Sequence, residues 1–201
     1  METLFAPLGE LEEYDQLIRG IKKGEFPVQL IGCMDTQESH MIYGTGRGKR
    51  IRLVITHNEV RAKELVEDLK LYDHDVMYYP AKDFIFYSAD VHGQAIVKER
   101  LKVIKRLLEK EPLTVVTTLD GGMDYCLPFE RYRENRIHVA VEEILDLEEF
   151  KKNLIAIGYE NTGQVQKEGE FSVRGGIIDV FPLTEECPYR IELWGDEIDG
   201  I

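Results

Sequence analysis

Residues 51–71 read IRLVITHNEVRAKELVEDLKL and decide the fold of the larger part of the chain. The apolar run at 51–55 predicts a strand, and either Thr56 or Asn58 can cap the helix that fills the rest of the stretch. A second short apolar run follows at 76–79 and predicts another strand. A strand, a helix and a strand in this order are typical of a parallel βαβ unit.

The same alternation of strands and helices extends on both sides of this unit. Two more short apolar runs are strand candidates, at 27–31 and 113–118. Apolar residues at helical spacing predict helices at 8–21, 40–43 and 96–108. We therefore predict that residues 1–136 form a doubly wound α/β domain with a parallel sheet, which is an architecture typical of nucleotide binding.

The pattern changes at residue 137. A strand is predicted at 137–141, and Asp146 with Glu149 predicts a capping box that starts a helix. Beyond this helix the chain is rich in turns, and Gly195-Asp196 is a plausible hairpin turn. The strand candidates of this region are 171–173, 177–181 and 190–194. Residues 137–201 are therefore predicted to form a second, smaller α+β domain.

Charge is distributed unevenly along the 201 residues, whose net charge is −13. Residues 1–136 carry a net charge of −3, whereas residues 137–201 carry five basic and fifteen acidic side chains, a net charge of −10. This step supports a domain boundary near 136. Because Lys and Arg contacts to phosphates drive binding to duplex DNA, so acidic a chain is expected to bind DNA weakly or not at all.

The remaining composition indicates a protein of the cytoplasm. Cys33, Cys126 and Cys187 are widely separated and odd in number, which is typical of reduced thiols. No apolar run approaches the length of about 20 residues that spans a membrane. The acidic start of the chain does not resemble a signal peptide. The histidines lack the spacing of metal ligands, so neither a metal nor a cofactor is expected.

Residues 32–39, GCMDTQES, have the frame of a P-loop, G-x-x-x-x-G-K-[ST], between a predicted strand and a predicted helix. Gly32 and Ser39 fit the motif, but Gln37 replaces its second glycine and Glu38 replaces its lysine. A carboxylate about 4 Å from a phosphate charge is repelled by roughly 4 kcal/mol at an effective dielectric constant of 20. The segment is therefore a degenerate nucleotide site or an ordinary strand-to-helix loop, and no ATP hydrolysis is expected from it.

Two other segments imitate functional motifs. The glycine-rich, basic run at 44–50 lacks the hydroxyl residue and the glycine spacing of a P-loop, and it is interpreted as a helix end followed by a turn. Ile177-Ile178-Asp179 imitates the end of a magnesium-binding strand. Its position in the second domain instead favours an ordinary strand with an outward-facing Asp179.

Two stretches carry a resemblance to a known family. Residues 168–182 read EGEFSVRGGIIDVFP, and residues 188–199 read PYRIELWGDEID. Together they closely resemble the N-terminal UvrB-like module of bacterial transcription-repair coupling factors (Mfd) and, more loosely, UvrB. The resemblance extends weakly through 1–136. UvrB keeps a working P-loop and follows its third strand with a long tyrosine-rich hairpin. Gln37, Glu38 and the short segment 80–92 therefore favour the coupling factors.

The resemblance implies a function. In the coupling factors, the corresponding module is a degenerate helicase-like (RecA/P-loop-type) domain with an inserted domain that binds UvrA. The ATPase motor of that family lies further along the chain, so this chain is expected to be a fragment. It is also expected to be a non-catalytic module that recruits UvrA for nucleotide-excision repair. The alternative is a UvrB-type, ATP- and DNA-binding helicase-like subunit.

The family's UvrA-contacting surface corresponds to Arg174, Arg190 and Trp194, with Glu192 and Glu197 as weaker candidates on the same hairpin. Arg and Trp are common hot spots of protein interfaces, and Trp194 is the single tryptophan of the chain. Because side chains alternate along a strand, Arg190, Glu192 and Trp194 should share one face. Two alternatives remain open. Trp194 could belong to the core, and either arginine could be a solvated charge or an intradomain ion pair.

Overall fold

The chain forms two compact units, Met1–Tyr125 and Cys126–Ile201. The computed structural model describes residues 6–46, 51–82 and 90–201, and within the helix that begins at Asp90 it describes the side chains from residue 95. Each unit contains its own sheet with helices beside it, so the chain is of the mixed α/β class. The domain boundary near 136 and the helicase-like assignment remain predictions.

The first unit contains a three-stranded parallel sheet. Its elements are α1 (Ala6–Gly9), α2 (Glu12–Lys23), α3 (Asp35–Thr45), β1 (Ile51–Thr56), α4 (Glu59–Lys70), β2 (Val76–Tyr79), α5 (Asp90–Leu108), β3 (Leu113–Thr118) and α6 (Leu119–Met123). The strand order is β1-β3-β2, with Val54 and Tyr78 paired with Val116 from either side. The predicted parallel α/β sheet is therefore confirmed for these three strands.

Helices cover both faces of the central strand β3, all of whose residues are buried. On one face Leu65 and Leu69 of α4 pack in a cluster with Val116. On the other face Val103 of α5 packs with Val115. Burying side chains of this kind stabilises a fold by about 1.5–3 kcal/mol each. Because both faces of a parallel strand are covered, such a strand is typically a continuous apolar run.

The start of α4 settles which of the two predicted capping residues is used. The Oδ1 atom of Asn58 accepts a hydrogen bond from the backbone N–H of Arg61 at 2.8 Å, and Asn58 has an extended backbone. This is the geometry of an N-cap, in which a side-chain oxygen satisfies a donor of the first turn. Asn58, rather than Thr56, therefore caps the helix.

The strand predicted at 27–31 is wrong. These residues belong to no sheet, and the side chain of Ile31 is 85% exposed. An apolar run becomes a strand only when a neighbouring strand offers its backbone groups, and none of the described strands pairs with this segment. The helix predicted at 40–43 is real but begins earlier, because α3 starts at Asp35.

The second unit is built around a five-stranded sheet. Its elements are α7 (Phe129–Glu134), α8 (Leu147–Ala156), β4 (Glu160–Asn161), β5 (Glu170–Arg174), β6 (Ile177–Val180), β7 (Tyr189–Trp194) and β8 (Glu197–Gly200). The strands lie in chain order, β4 is parallel to β5, and the other pairs are antiparallel. The predicted α+β character and the three predicted strands are confirmed.

The strand predicted at 137–141 is wrong, because these residues form no ladder. Ile137 and Val139 nevertheless pack against the core of the unit. These apolar residues alternate with polar or exposed ones, which is the sequence pattern of a strand. The segment packs against the core through its side chains and does not pair its backbone in a sheet. Just beyond it the backbone meets the last strand, where the N–H of Glu142 donates to the carbonyl of Ile198 at 2.8 Å and Ile144 forms an isolated bridge with Glu197.

Helix α8 covers one face of this sheet. Asp146 is its N-cap, since its Oδ1 atom accepts the N–H groups of Glu148 and Glu149 at 3.0 Å each, which confirms the Asp146 half of the predicted capping box. Phe150 and Leu154 of the helix join a buried cluster with the inward-facing sheet residues, which include Phe171, Ile178, Val180, Ile191 and Ile198. We call the opposite side of the sheet the outer face. It presents Arg174, Ile177, Asp179, Arg190, Glu192, Trp194 and Glu197.

Some predicted features fall outside the described residues. Helix α3 ends at Thr45, as predicted for the start of the glycine-rich run, but residues 47–50 of that run are not described. Residues 83–89 of the segment 80–92, whose short length favours the coupling factors over UvrB, are likewise outside the described ranges. Within the parts of the chain that are described, no helix is long and apolar enough to cross a bilayer.

Candidate functional site: the outer face of the second sheet

Strand β7 places three of the predicted site residues on the outer face. Arg190, Glu192 and Trp194 are exposed, whereas Ile191 between them is buried in the core and Leu193 packs against it. Successive side chains of a strand point to opposite faces, so the two inward apolar residues fix the direction of the other three. The sequence pattern alone was sufficient to predict this arrangement.

The neighbouring strands bring Arg174 and Asp179 to the same place. In the antiparallel register, Asp179 of β6 lies directly opposite Arg190 of β7, and Arg174 of β5 lies opposite Ile177. Residues opposite one another share a face, and diagonal neighbours are within reach of long side chains. Asp179 is therefore opposite one arginine and diagonal to the other.

Asp179 forms ion pairs with both arginines. Its Oδ2 atom lies 2.6 Å from Nη2 of Arg174, and its Oδ1 atom lies 2.7 Å from Nε of Arg190. Nη2 of Arg190 also donates to Oδ2 at 3.2 Å. The hydrogen bonds from Arg190 and then from Arg174 hold the pKa of the Asp179 carboxyl below its usual value, against the opposing effect of burial.

The carboxylate lies deeper in the surface than the guanidinium groups that surround it. The side chain of Asp179 is 13% exposed, whereas those of Arg174 and Arg190 are 53% and 57% exposed. The intradomain ion pair is therefore the alternative that the structure supports for both arginines. About half of each arginine side chain nevertheless remains accessible from solvent.

The ion pairs of Asp179 are not predicted by the sequence pattern. The pattern correctly predicts that Asp179 faces outward from a strand, and otherwise indicates only an imitation of a magnesium-binding strand end. Predicting these ion pairs requires the register in which β6 pairs with β5 and with β7. The two-residue turn after Arg174 and the pairing of β6 with β7 bring one acidic side chain between two basic ones. The pairing of 179 with 190 spans a long connection whose length does not fix the register.

Trp194 lies at the end of β7, beside the turn to β8. It is paired with Glu197 across the predicted two-residue turn, in which Gly195 has a φ of +65°, a value that favours glycine. The side chain of Trp194 is 83% exposed, so Trp194 is not a core residue. Glu192 and Glu197 are also exposed on this face, which gives the outer face both signs of charge and one large aromatic ring.

The predicted nucleotide-site residues of the first unit lie at the start of α3. Gly32 is in a loop with a φ of +86°, and residues 6–31, which the structure describes, form no strand. The Oε1 atom of Gln37 accepts the N–H of Met34 at 3.2 Å. Ser39 is buried, and its hydroxyl donates to the carbonyl of Thr36 at 3.3 Å. These polar groups are therefore engaged within their own helix turn.

Glu38 links α3 to α4. Its Oε2 atom lies 2.7 Å from Nη2 of Arg61, and this hydrogen bond raises the pKa of the guanidinium. The Glu38 side chain is about half exposed, and ion pairs of this kind contribute about 0–1 kcal/mol. Glu38, at the position where the predicted motif would have its lysine, thus has a structural partner. The degenerate P-loop itself remains a prediction.

Residues 137–201 match the protein family described as the UvrB interaction domain. The whole chain is 30% identical to the transcription-repair-coupling factor of Bacillus subtilis and spans 17% of that protein's length. Over 74% of its length it is 34% identical to the factors of Staphylococcus haemolyticus and Staphylococcus aureus strain USA300, and it covers 13% of each. The segment that matches the family contains every residue of the outer face.

Proposed function

We propose that this chain, a homologue of the transcription-repair-coupling factors whose residues 137–201 match the UvrB interaction domain, is a protein-interaction module that recruits UvrA. In this proposal the second unit docks on UvrA and brings it to stalled transcription complexes for nucleotide-excision repair. The module itself is non-catalytic. The chain spans only 13–17% of the length of the coupling factors that it matches, so the motor activity of those proteins is not part of the proposal.

The observation that supports this proposal is the composition of the outer face. The outer face presents an indole that is 83% exposed together with two half-exposed guanidinium groups. Exposed aromatic and arginine side chains are enriched at the energetic centres of protein interfaces. An isolated surface tryptophan gains nothing from exposure, whereas a partner that covers it removes a large apolar area from water.

The charge of the second unit supports a protein partner rather than a nucleic acid. Arg174 and Arg190 are two of only five basic residues among residues 137–201, against fifteen acidic ones. Asp179 neutralises part of their charge. Phosphate backbones are bound by accumulated positive charge, whereas a pair of positioned guanidiniums is suited to bidentate contact with carboxylates. An acidic side chain of UvrA is therefore the expected ligand.

The first unit is proposed to be a helicase-like domain that has lost nucleotide chemistry. Its parallel sheet and the match of Gly32 and Ser39 to the P-loop motif support the ancestry, although the described residues before Gly32 form no strand. The ion pair between Glu38 and Arg61 supports the loss of nucleotide binding, because the position of the phosphate-binding lysine holds an acidic residue that pairs with an arginine of α4. Binding a triphosphate at the start of α3 would bring this carboxylate close to phosphate oxygens of the same sign.

The proposal is tested by titrating the full chain with UvrA and comparing Arg174→Ala and Arg190→Ala with Lys152→Ala. Lys152 is an exposed basic residue of α8, on the opposite side of the sheet. Loss of a central interface arginine is expected to weaken binding by roughly a hundredfold, and the Lys152 variant should bind like wild type. Folded arginine variants that bind UvrA as tightly as wild type would refute the proposed surface.

A further inference from the structure

We propose that Asp179 is a positioning residue that holds Arg174 and Arg190 in the orientation in which they bind one carboxylate of the partner. This inference rests on the proposed function, since it describes how the same face would recognise its ligand. It assigns a role to a residue that is not itself among the predicted contacts. The ligand is an Asp or Glu side chain presented by a folded protein.

The first support is the geometry of the three side chains. Asp179 bridges the two arginines through both of its oxygen atoms, with contacts of 2.6, 2.7 and 3.2 Å. It comes from β6, the strand that lies between the strands of its two partners. A rigid central strand therefore anchors two long side chains that would otherwise be free to rotate.

The second support is the difference in depth. Asp179 is mostly covered, whereas about half of each arginine side chain faces solvent. A partner approaching the outer face would meet guanidinium groups before it met the carboxylate. Asp179 is therefore placed as a support beneath the binding groups and not as a contact of its own.

The third support is the number of donors that remain. A guanidinium has five N–H groups, and the contacts with Asp179 use the Nη2 group of Arg174 and the Nε and Nη2 groups of Arg190. Donors of both arginines are left over for a further acceptor. The three side chains together carry a net charge of +1, which one additional carboxylate would neutralise.

Anchoring the arginines before binding should raise the affinity. Side chains that are already ordered lose less conformational freedom on association, and arginine has many rotamers to lose. If charge alone governed binding, removing Asp179 would strengthen it, because the face would become more positive. The positioning role predicts the opposite sign, so the two explanations are separable.

The test is the affinity of Asp179→Asn for UvrA, with Glu149→Gln as the control. Glu149 is an exposed acidic residue of α8, away from the outer face. Asparagine keeps the shape of the side chain but loses the charge that binds both arginines. We expect binding to weaken about tenfold through faster dissociation, while the control variant binds like wild type.

A double-mutant cycle distinguishes positioning from a general loss of structure. In the Arg174→Ala/Arg190→Ala background, Asp179→Asn should weaken UvrA binding no further, because the groups that it positions are absent. A tenfold loss that persists in this background would overturn the proposal. So would an Asp179→Asn single variant that binds as tightly as wild type or more tightly.

The outcomes separate this inference from the proposed function. If the two arginine variants bind normally, the UvrA surface itself is wrong. If they lose binding and Asp179→Asn does not, only the positioning role fails. Should Asp179→Asn not fold, Asp179→Glu supplies the answer, since it keeps the charge but displaces the carboxylate. Positioning predicts weaker binding for this variant, and unchanged binding would refute it.

Discussion

Replacing Trp194 with alanine should greatly weaken UvrA binding and barely affect folding. The structure separates the two effects because the side chain is 83% exposed. Its ring therefore contributes little to the core of the second unit. It is instead available to be covered by a partner.

The size of each effect follows from the areas. A fully covered indole removes about 150–250 Å² from water, and at about 25 cal/mol per Å² the exposed four-fifths corresponds to about 4 kcal/mol. Truncating an interface hot spot costs at least about 2 kcal/mol of binding free energy. A loss of about 2 to about 4 kcal/mol corresponds to a roughly 30- to 800-fold weaker affinity. The covered fifth limits the loss of folding free energy to about 1 kcal/mol.

The assay compares Trp194→Ala with Ile155→Ala in UvrA titrations and in thermal unfolding. Ile155 is an exposed apolar residue of α8, on the other side of the sheet. The control should bind UvrA like wild type. Trp194→Ala should melt within about 4–8 °C of wild type, the shift that about 1 kcal/mol causes in a domain of this size. If Trp194→Ala and wild type are both folded and bind UvrA equally, Trp194 is not part of the UvrA contact.

Three further predictions concern the chemistry of the chain. It should not bind ATP with magnesium, because Glu38 occupies the lysine position of the P-loop frame; micromolar binding by calorimetry would contradict this. It should bind duplex DNA weakly near physiological salt because its net charge is −13, and a tight, steeply salt-dependent mobility shift would show otherwise. Ion pairing lowers the pKa of Asp179 in the folded protein. The ionised carboxylate therefore stabilises the fold above the unfolded-state pKa of about 3.9, and this stabilisation is lost as the pH falls through the folded-state pKa. The melting temperatures of wild type and Asp179→Asn should therefore converge in acid, and a gap that is constant with pH would contradict the ion pair's role.

Elements with strong local signals could be predicted from the sequence. The strand at 51–56 and the capped helix after it carry an apolar run, a cap and a helical period within one short stretch. The hairpin at Gly195-Asp196 and the inward direction of Ile191 and Leu193 follow from equally local patterns. Each of these features depends on neighbouring residues, so the chain itself contains the information.

Features that depend on distant partners could not be predicted. The apolar run at 27–31 has the composition of a strand but no described strand beside it, and the alternation at 137–141 reflects packing against the core without a ladder. The contact between Asp179 and Arg190 depends on the register across the connection from β6 to β7. Periodicity predicts which face a side chain occupies but not which residue lies opposite it.

Because Trp194 is the single tryptophan of the chain, its fluorescence reports whether UvrA covers the outer face. The chain is produced with a tryptophan analogue that can be excited apart from the tryptophans of UvrA, and acrylamide quenching is measured during a titration. We predict that UvrA shifts the emission to shorter wavelength and protects the indole from quenching. A complex that forms by sedimentation but leaves the emission and the quenching unchanged would contradict docking through the outer face, and so would the absence of any complex.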